Sequence, residues 1–301
     1  MILLVDKTVI IGCGFLGSKI FTNLKNNNKK VIGTNFQNTS NEFKKLDITN
    51  FDFVNSFLNK EKPDLVINCA ANTDIDYLEK NEKFANMVNG IGVKNIAKTC
   101  KQISSKLIHI STDSVFDGTL GLYTEEDDVK PINVYGKSKL LGEELLQENL
   151  DDFIIIRTNL FGYHHQGKFL FNWILRNLKE NKEFTGFEDI IFNPLEISFL
   201  SDLILKFGNM EYSGIIHLGS DEIINKYNFG CEIADTFGFN KKLIKKGSIE
   251  HSSLIAKRPK NTSLSNLKAK KILKMNFPSL KEQILKIREE IKINYNDKQS
   301  H

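Results

Sequence analysis

Cysteine is scarce and scattered in this chain. The four cysteines lie far apart and form no Cys-x-x-Cys pair: Cys13, Cys69, Cys100 and Cys231. Because disulfide frameworks and cysteine zinc sites need closely grouped cysteines, we expect reduced thiols in a cytoplasmic protein. The single histidine pair, His164-His165, has no cluster of Cys or Asp beside it. We therefore predict no metal site.

Long hydrophobic runs and a strong charge of one sign are also missing. No window approaches about 18 uncharged apolar residues, so we predict no membrane-spanning helix. The early apolar run 9–11 leads into glycines rather than a cleavage site, which argues against a signal peptide. The net charge is only +4, and the lysines are spread along the chain, so nucleic acid is not an expected partner.

The bulk composition is that of an ordinary globular protein. Apolar residues make up 41 % and charged residues 26 % of the 301 residues. That length suffices for a large core and for one or two closely joined domains. A homodimer is compatible with the sequence, which leaves the oligomeric state open.

Short apolar runs alternate with helical patterns in the first half of the chain. The runs predict strands at 8–11, 30–34, 43–46, 64–69, 106–110 and 153–157. The patterns between them predict helices at 15–26, 51–60, 77–102 and 135–148. Continuous apolar strands that alternate with helices are typical of a parallel sheet with helices on both faces. We predict an α/β fold, a doubly wound parallel sheet of the Rossmann type.

The pattern changes after residue 157. Helices are predicted at 169–180, 198–207, 226–237, 263–273 and 279–293, an extended piece at 190–194 and a strand at 214–218. We predict a Rossmann domain over 1–158 with a returning segment near 193–219. A smaller α/β C-terminal substrate domain would take 159–192 and 220–301 and cover the carboxyl ends of the strands, where such sheets bind ligands.

A glycine-rich turn follows the first predicted strand. Gly12, Gly14 and Gly17 stand in the order Gly-x-Gly-x-x-Gly, and Phe15 and Leu16 open the next helix. Glycines permit a tight turn, and the helix N-terminus offers N–H groups to a pyrophosphate. The pattern therefore favours a dinucleotide cofactor over a purely structural turn.

Other candidate cofactor contacts follow the next strands. Asn35 stands where an acid would bind the ribose 2′-OH and repel a 2′-phosphate, so NADP stays admissible beside NAD and is slightly favoured. Asp47, followed by Ile48, could contact the adenine or cap the next helix. The small-residue stretch after the fourth strand would let a cofactor lie against the backbone; it contains Cys69, Ala70, Ala71 and Thr73.

A tyrosine and a lysine one helical turn apart form the candidate catalytic pair. Tyr135 and Lys139 project from the same helix face. A cation beside a phenol lowers its pKa, so we expect Tyr135 to exchange a proton near neutral pH. The hydroxyls of Ser111 and Thr112 end the strand at 106–110, at the sheet edge where such folds place their chemistry.

Taken together, these motifs resemble the extended short-chain dehydrogenase/reductases. The similarity is strongest to the dTDP-4-dehydrorhamnose reductase group, through the runs Gly-x-Gly-Phe-Leu-Gly, Asn-Cys-Ala-Ala, Ser-Thr-Asp-x-Val-Phe-Asp-Gly and Tyr-Gly-Lys-Ser-Lys. It continues through 157–158, 201–202, 214–219 and 258–264 and so covers nearly the whole chain. The resemblance implies an NAD(P)H-dependent reductase of a nucleotide-activated 4-keto-6-deoxysugar.

The resemblance also implies residue roles. Thr112 matches the family's catalytic hydroxyl, Tyr135 its proton donor, and Lys139 the base that holds the nicotinamide ribose. Asn89 matches a supporting helix asparagine on the cofactor side. On the substrate side, Asp76 matches an acid in the loop over the substrate. Arg258 lies in a segment near the nucleotide and could bind a diphosphate or serve as a structural ion-pair partner.

The chain departs from the pattern on the sugar side. Ser114 stands where rhamnose-forming members usually carry Tyr, and Asn159 where they usually carry an aromatic residue. The single tryptophan, Trp173, shares an apolar helix face and is predicted to lie in the core. A nucleotide-sugar epimerase or dehydratase is a related alternative, although the dehydratase Asp-Glu pair after Thr112 is incomplete. A non-catalytic NADP-binding regulator resembling the methionine adenosyltransferase beta subunit is the alternative from another class.

Overall fold

The computed structural model of the protein describes residues 5–37, 42–164 and 169–297. Its strands are β1 (Lys7–Ile11), β2 (Lys30–Asn35), β3 (Lys44–Lys45), β4 (Leu65–Asn68), β5 (Lys106–Ile110), β6 (Phe153–Thr158), β7 (Leu160–Phe161), β8 (Phe184–Phe187), β9 (Ile191–Phe192), β10 (Leu195–Glu196), β11 (Gly214–Leu218), β12 (Ile224–Asn225) and β13 (Ile244–Gly247). Its α-helices are α1 (Phe15–Asn26), α2 (Phe51–Glu61), α3 (Ile75–Glu79), α4 (Glu82–Ala85), α5 (Gly92–Gln102), α6 (Val134–Asn149), α7 (Leu170–Lys179), α8 (Ile197–Gly208), α9 (Lys226–Phe237), α10 (Leu267–Leu273) and α11 (Leu280–Asp297). Four short helical segments complete the set: a π-helical turn at Asn86–Ile91 and 3₁₀ turns at Asp113–Val115, Lys241–Leu243 and Ile249–His251.

A seven-stranded sheet forms the centre of the first of two packed regions. Its strand order is β11-β6-β5-β4-β1-β2-β3, and every neighbouring pair is parallel. The chain therefore runs outward from β1 to one edge, returns past β1, and continues to the other edge. That reversal beside β1 is the feature of the Rossmann fold that creates a ligand crevice at the carboxyl ends of the strands. The predicted fold class is confirmed.

Helices cover both faces of the sheet. Successive strand residues alternate between the two sides, so that Ile10 packs with α1 and α8 residues while Val9 packs with α2 and α5 residues. Both side chains are 0 % exposed. This double burial explains why the strands are continuous apolar runs in the sequence.

A second hydrophobic core lies outside the sheet. It joins residues of α7, α9 and α11 with Phe184 of β8 and Ile244 of β13. In contrast, α8 and β11 pack on the central sheet even though they follow α7 in the chain. This packing supports the proposed division into a Rossmann domain with a returning segment and a smaller substrate domain.

The predicted single helix over 77–102 is wrong. The segment splits into α3, α4, the π-helical turn and α5. Asn81, with φ −133° and ψ 53°, leaves the helical conformation between α3 and α4. The π-helical turn then packs closely on α6, where a Cβ at Gly142 would collide with the carbonyl oxygen of Asn89. This close approach depends on tertiary packing, which the helical period alone does not contain.

Three further points of the sequence analysis need correction. The helix predicted over 263–273 begins only at Leu267, because Leu264 forms a parallel bridge with Tyr123. Strands β8 and β13 pair in parallel but were not predicted. Both contain glycine, and β13 carries the exposed Lys245 and Lys246, so neither has an apolar strand pattern. The predicted third strand is shorter than expected, only Lys44–Lys45.

Candidate active site

The glycine turn lies between β1 and α1 at the centre of the sheet. Gly12 has φ +86°, a left-handed conformation that glycine adopts readily. Its N–H donates to the Thr34 carbonyl at 3.0 Å, and a Cβ on it would lie 2.5 Å from the Ala70 backbone. A Cβ on Gly14, in contrast, would meet no atom within 4 Å. The turn therefore leaves open space in front of the α1 N-terminus, where an anion is favoured.

A cavity of about 510 Å³ opens beside this turn. Most of the predicted cofactor residues line it: Gly12, Gly14, Asn35, Asp47, Ile48, Cys69, Ala70 and Ala71. Phe36, Phe84 and Val88 line it as well and were not predicted. Phe36 is 64 % exposed, so its ring is available to a ligand. The strands β1, β2 and β4 thus bring together residues that lie far apart in the sequence.

The remaining predicted cofactor residues lie at other places. Gly17 packs against Gly12, with no room for a Cβ, and Leu16 is buried in the core. Thr73 is exposed and does not line the cavity. The Phe15 ring stacks on Phe169 with ring centroids 4.4 Å apart. These four residues shape the surroundings of the cavity, and their direct contact with a cofactor stays a prediction.

The alternative of Asp47 as a helix cap is excluded. Asn50 caps α2, because its side chain accepts a hydrogen bond from the Phe53 N–H at 3.1 Å. Asp47 instead accepts from the N–H and the hydroxyl of Thr49. Its carboxylate is held at the cavity wall, which keeps adenine contact as the proposal.

A larger cavity of about 940 Å³ separates the two cores. On the side of the seven-stranded sheet it is lined by Ile75, Asp113, Ser114 and Asn159. On the side of the second core it is lined by residues of α7, β8 and β13. Arg258 reaches it from the 249–261 segment. Among the predicted substrate residues, Ser114, Asn159 and Arg258 therefore line one common space.

Asp113 organises the near wall of this cavity. Its carboxylate accepts hydrogen bonds from Asn159 at 2.8 Å and from the Thr262 hydroxyl at 2.7 Å. It also accepts from the hydroxyls of Thr112 and Ser114. Asp113 is 2 % exposed. The carboxylate fixes the orientation of residues on both sides of the predicted catalytic Thr112, although the sequence did not single it out.

Tyr135 lies in the first turn of α6 and is buried. The Asn133 side chain caps this helix by accepting the Gly136 N–H at 2.8 Å. Burial raises the pKa of Tyr135 to about 12, even though a hydrogen bond with the Thr112 side chain lowers it. Lys139 is not among the groups that shift the pKa of Tyr135, so the expectation that it would lower this pKa toward neutral is wrong for this structure. At neutral pH the phenol keeps its proton and is available as a donor.

Lys139 turns its amine away from solvent. Its Nζ donates to the Ile110 carbonyl oxygen at 2.7 Å and lies 3.2 Å from His109 Nε2. Burial lowers the pKa of Lys139 to about 8, although the nearby charge of Glu143 raises it. Cys69, which lines the smaller cavity, also interacts electrostatically with Lys139. Lys139 is therefore close enough to the wall of the smaller cavity to interact with Cys69, although it does not line that cavity itself.

The predicted substrate role of Ser111 is not supported. Successive residues of an extended strand point to opposite faces, so Ser111 and Thr112 cannot both face the substrate. The Ser111 hydroxyl is buried and donates to Glu143. Glu143 in turn forms a buried ion pair with Arg157, with Nη2 and Oε2 2.7 Å apart. Ser111 therefore belongs to an internal network that ties β5, β6 and α6 together.

Asn89 joins the π-helical turn to two neighbouring segments. Its amide oxygen accepts the Asn72 N–H at 2.9 Å, and its nitrogen donates to the Asn72 carbonyl and to the Ser138 hydroxyl, each at 3.0 Å. All of its polar atoms are thus engaged. Asn89 supports α6 one residue from Lys139, as the resemblance implied, without a contact to Lys139 itself.

Asp76 and Arg258 form an ion pair at the rim of the larger cavity. Their Oδ1 and Nη2 atoms are 2.9 Å apart, and Asp76 also accepts the N–H groups of Ile255 and Ala256. Burial raises the pKa of Asp76, but these hydrogen bonds and the Arg258 charge outweigh it, so the pKa is lowered. Asp76 is not among the cavity-lining residues, and it anchors the segment that carries Arg258. Arg258 therefore forms the structural ion pair that was considered for it, and it also lines the cavity.

Trp173 and Lys226 are two of the cavity residues that the sequence analysis did not assign to a site. Trp173, expected in the core, is 37 % exposed and lines the larger cavity from α7. Lys226, at the start of α9, lies 3.3 Å from the centroid of the Phe192 ring. Within the part of the chain that the structure describes, no carboxylate lies at ion-pair distance from the Lys226 amine. The only sequence signal for it was its position at a helix start.

Metal and membrane features were searched across the same residues. Over 5–37, 42–164 and 169–297, no group of three His, Cys, Asp or Glu side chains could hold a metal ion. His165 lies outside the described residues. No helix within those ranges is long and apolar enough to cross a bilayer.

Fold and site together define a class of protein. A parallel sheet with a glycine turn after β1, followed by a buried Tyr-x-x-x-Lys helix, is the arrangement of an extended short-chain dehydrogenase/reductase. The family model described as RmlD substrate binding domain matches residues 7–293, and the chain belongs to that family. The resemblance to the dTDP-4-dehydrorhamnose reductase group is thereby confirmed.

Individual relatives agree with this assignment. The chain is 30 % identical to a probable low-salt glycan biosynthesis reductase, Agl14, of Haloferax volcanii, over 90 % of this chain and 93 % of that one. It is 27 % identical to the methionine adenosyltransferase 2 subunit beta of Rattus norvegicus, over 83 % of this chain and 77 % of that one. The crystal structure of dTDP-4-dehydrorhamnose reductase from Bacillus anthracis in complex with NADP superposes with a TM-score of 0.88 at 27 % identity, covering 95 % of this chain and 100 % of that one.

Proposed function

We propose that the protein is an NAD(P)H-dependent reductase of a nucleotide-activated 4-keto-6-deoxysugar. The observation that carries this proposal is that neighbours of the buried Thr112, Tyr135 and Lys139 line two cavities. Asp113 and Ser114 follow Thr112 and line the larger cavity, while Cys69 at the smaller cavity interacts with Lys139. A donor and an acceptor of hydride bound in the two cavities would meet at these side chains.

The smaller cavity fits a nicotinamide dinucleotide. The open space at Gly14 and the N-terminus of α1 suit a pyrophosphate, and Asp47 and Ile48 would hold the adenine end. Asn35, a neutral side chain at the cavity wall, would accept either NADP or NAD, with NADP slightly favoured. When bound, the cofactor supplies the hydride.

The side chains of this chain would handle the proton and the developing charge. Tyr135, protonated at neutral pH because its pKa is raised, would donate its proton to the carbonyl oxygen of the substrate as that oxygen becomes an alkoxide. The Thr112 hydroxyl, which donates to Asp113 in this structure, would turn its single hydrogen to the same oxygen when substrate is bound. Lys139 would hold the ribose side of the site, and Asn89 would keep α6 in place.

The larger cavity fits an anionic sugar nucleotide. Three cationic side chains line it, and they are Lys226, Lys246 and Arg258. A guanidinium and two ammonium groups suit a diphosphate. Ser114 and Asn159 would face the sugar, and the Trp173 ring offers an apolar surface beside it. The reaction class follows from this arrangement, and the sugar stays open because Ser114 and Asn159 differ from the rhamnose-forming pattern.

Two neighbouring lysines on β13 give a matched test of the substrate class. Lys245 and Lys246 each form an exposed ion pair, with Glu183 and Glu188 respectively, but only Lys246 lines the larger cavity. We expect Lys246→Met to raise the KM for a nucleotide 4-keto-6-deoxysugar by up to about fivefold, as an exposed ion pair allows, and Lys245→Met to leave it unchanged.

The readout is oxidation of NADPH, followed by its absorbance. Wild type should turn over the nucleotide sugar and should turn over the free keto sugar poorly. Equal turnover of both sugars would show that the nucleotide is not recognised. Equal KM values for the two lysine variants would remove the larger cavity as the substrate site.

The second candidate is a regulatory subunit that binds NADP without turnover. It is favoured by the similarity to the methionine adenosyltransferase 2 subunit beta over 83 % of this chain. A binding protein could retain Tyr135 and Lys139, so the side chains alone do not separate the two candidates. Absence of turnover with every nucleotide 4-keto sugar, together with NADP binding and copurification with a partner enzyme, would favour the regulator.

A further inference from the structure

A buried chain of hydrogen bonds runs from Asn68 through His109 to Lys139. The three side chains come from β4, β5 and α6 and are 0 %, 0 % and 2 % exposed. Asn68 Nδ2 lies 3.0 Å from His109 Nδ1, and Lys139 Nζ lies 3.2 Å from His109 Nε2. The proposed reaction gives no role to His109, although it touches one of the three catalytic candidates.

The orientation of Asn68 determines the tautomer of His109. The Ala70 N–H donates to Asn68 Oδ1 at 3.1 Å, and because a backbone N–H can only donate, the amide oxygen must face Ala70. The amide nitrogen of Asn68 therefore faces His109, whose Nδ1 must accept. Burial lowers the pKa of His109 well below its usual value, so the ring is neutral, and a charge on Lys139 would only lower that pKa further. A neutral ring that accepts at Nδ1 carries its hydrogen on Nε2.

That tautomer points an N–H at the Lys139 nitrogen. An ammonium has three donors and no lone pair, so it would face the His109 N–H donor to donor. A neutral amine can accept from His109 and still donate to the Ile110 carbonyl oxygen at 2.7 Å. The other tautomer of His109, with its hydrogen on Nδ1, could accept from an ammonium at Nε2. Its Nδ1–H would then face the N–H of Asn68, donor to donor.

We propose that His109 is a positioning residue that controls the protonation of Lys139 and, through it, the resupply of a proton to Tyr135. The second part rests on the proposed function, because only turnover removes the Tyr135 proton. Asn68 determines the arrangement, because its amide selects the tautomer of His109. The three residues act as one unit that disfavours the charged lysine until the network rearranges.

Other charged and titratable groups around Lys139 do not replace this contact. Glu143 lies one turn further along α6 and raises the pKa of Lys139 through its charge, but its oxygens are occupied by Arg157 and by the Ser111 hydroxyl. Cys69 faces Lys139 from the end of β4 and keeps its proton, because burial raises its pKa beyond the usual range. Asp113, at the 3₁₀ turn that packs on α6, acts on Tyr135 rather than on Lys139.

The sharpest test is Asn68→Asp. Aspartate has nearly the same shape, keeps an oxygen for the Ala70 N–H, and presents a second oxygen to His109 Nδ1 where the amide N–H stood. We expect His109 to become protonated at Nδ1, and the coupled His109–Lys139 pair to take up a proton at a pH about one unit or more above wild type. Nitrogen NMR of protein labelled at histidine reads the tautomer directly, with His109→Gln identifying the signal.

His217 is the internal control for this measurement. It is also fully buried, but its Nδ1 lies 2.9 Å from the Tyr123 carbonyl oxygen, which can only accept. His217 should therefore carry its hydrogen on Nδ1 in both proteins, opposite to His109 in wild type. A wild-type His109 with its hydrogen on Nδ1 would overturn the proposal, and this outcome does not depend on whether Asn68→Asp folds.

The functional arm compares pH profiles. In wild type, reduction should decline as pH rises through the Lys139 pKa near 8, and Asn68→Asp should move this decline upward by about the same one unit. A switched tautomer with an unmoved decline would refute control of the proton supply. If no nucleotide sugar is turned over, the proposed function fails separately, and the pH dependence of NADPH affinity is measured instead of the rate. An upward shift in the pH at which this affinity changes in Asn68→Asp supports control of Lys139 by His109. No shift refutes that control.

Discussion

Removal of one oxygen atom from Tyr135 should separate catalysis from folding. In Tyr135→Phe the ring remains packed with Leu78 and Ala85, because only the hydroxyl is lost. The lost hydrogen bond with Thr112 should cost about 0.5–1.5 kcal/mol of unfolding free energy. Loss of a general acid should lower the rate about 10²–10⁴-fold, equivalent to about 2.7–5.5 kcal/mol of activation free energy. The catalytic effect should therefore clearly exceed the effect on stability.

Tyr123→Phe is the matched control. Tyr123 is likewise buried, at 3 % exposure, and its hydroxyl donates to Asp117 at 2.6 Å, away from both cavities. It should lose a similar or slightly larger stability, since its partner is charged, and keep wild-type kcat. The assays are NADPH oxidation with a nucleotide 4-keto-6-deoxysugar, cofactor titration, and chemical denaturation of all three proteins.

The result that would refute the reasoning is specific. If Tyr135→Phe retains more than about a tenth of the wild-type kcat, the phenol does not supply the proton in the slow step. If both variants lose activity in proportion to stability, the effect is structural. NADPH affinity should change little in either variant, because the glycine turn and Lys139 are intact.

Three other substitutions test separate parts of the structure. Asn35→Asp should shift cofactor preference toward NADH by about tenfold or more, or ~1–2 kcal/mol, because it places a negative charge near a 2′-phosphate. Titration of both cofactors checks this shift, and a strong NADH preference in wild type would contradict the reasoning. Gly12→Ala should lower the free energy of unfolding by at least about 1–2 kcal/mol because of the φ of +86°, with a further loss from contact with Ala70, and should abolish cofactor binding. Unchanged NADPH affinity would exclude the turn as the binding site. Arg157→Met should lower the free energy of unfolding by about 3–5 kcal/mol because it leaves Glu143 buried without its partner, and a denaturation midpoint equal to wild type would contradict a buried ion pair.

The sequence predicted the elements whose signal is local. Continuous apolar runs gave β1, β2, β4, β5 and β6 within two residues, because strands buried on both faces contain few polar positions. The glycine turn was recognised for the same kind of reason, since its conformation and close contacts require glycine. The cavity that contains Gly12, Asn35 and Ala70 then follows from strand order alone.

The features that the sequence did not predict depend on tertiary packing. The raised pKa of Tyr135 comes from burial, which a Tyr-x-x-x-Lys spacing does not reveal. Ser111 and Thr112 are adjacent in sequence, and only the strand orientation shows that one of them faces an internal ion pair. Trp173 has an apolar helix face in common with core residues, yet that face borders the cavity between the two cores.

The return of β11 to the edge of the sheet has a consequence for protein engineering. β11 pairs in parallel with β6 over five residues, from Gly214↔Ile154 to Leu218↔Thr158. A fragment cut after Thr158 would expose the β6 backbone as an unpaired apolar edge and would be prone to aggregate. On the proposed domain division, a chimaera designed to borrow the substrate specificity of a relative would exchange two separate segments, 159–192 and 220–301, and leave the connecting α8–β11 unit with its own sheet.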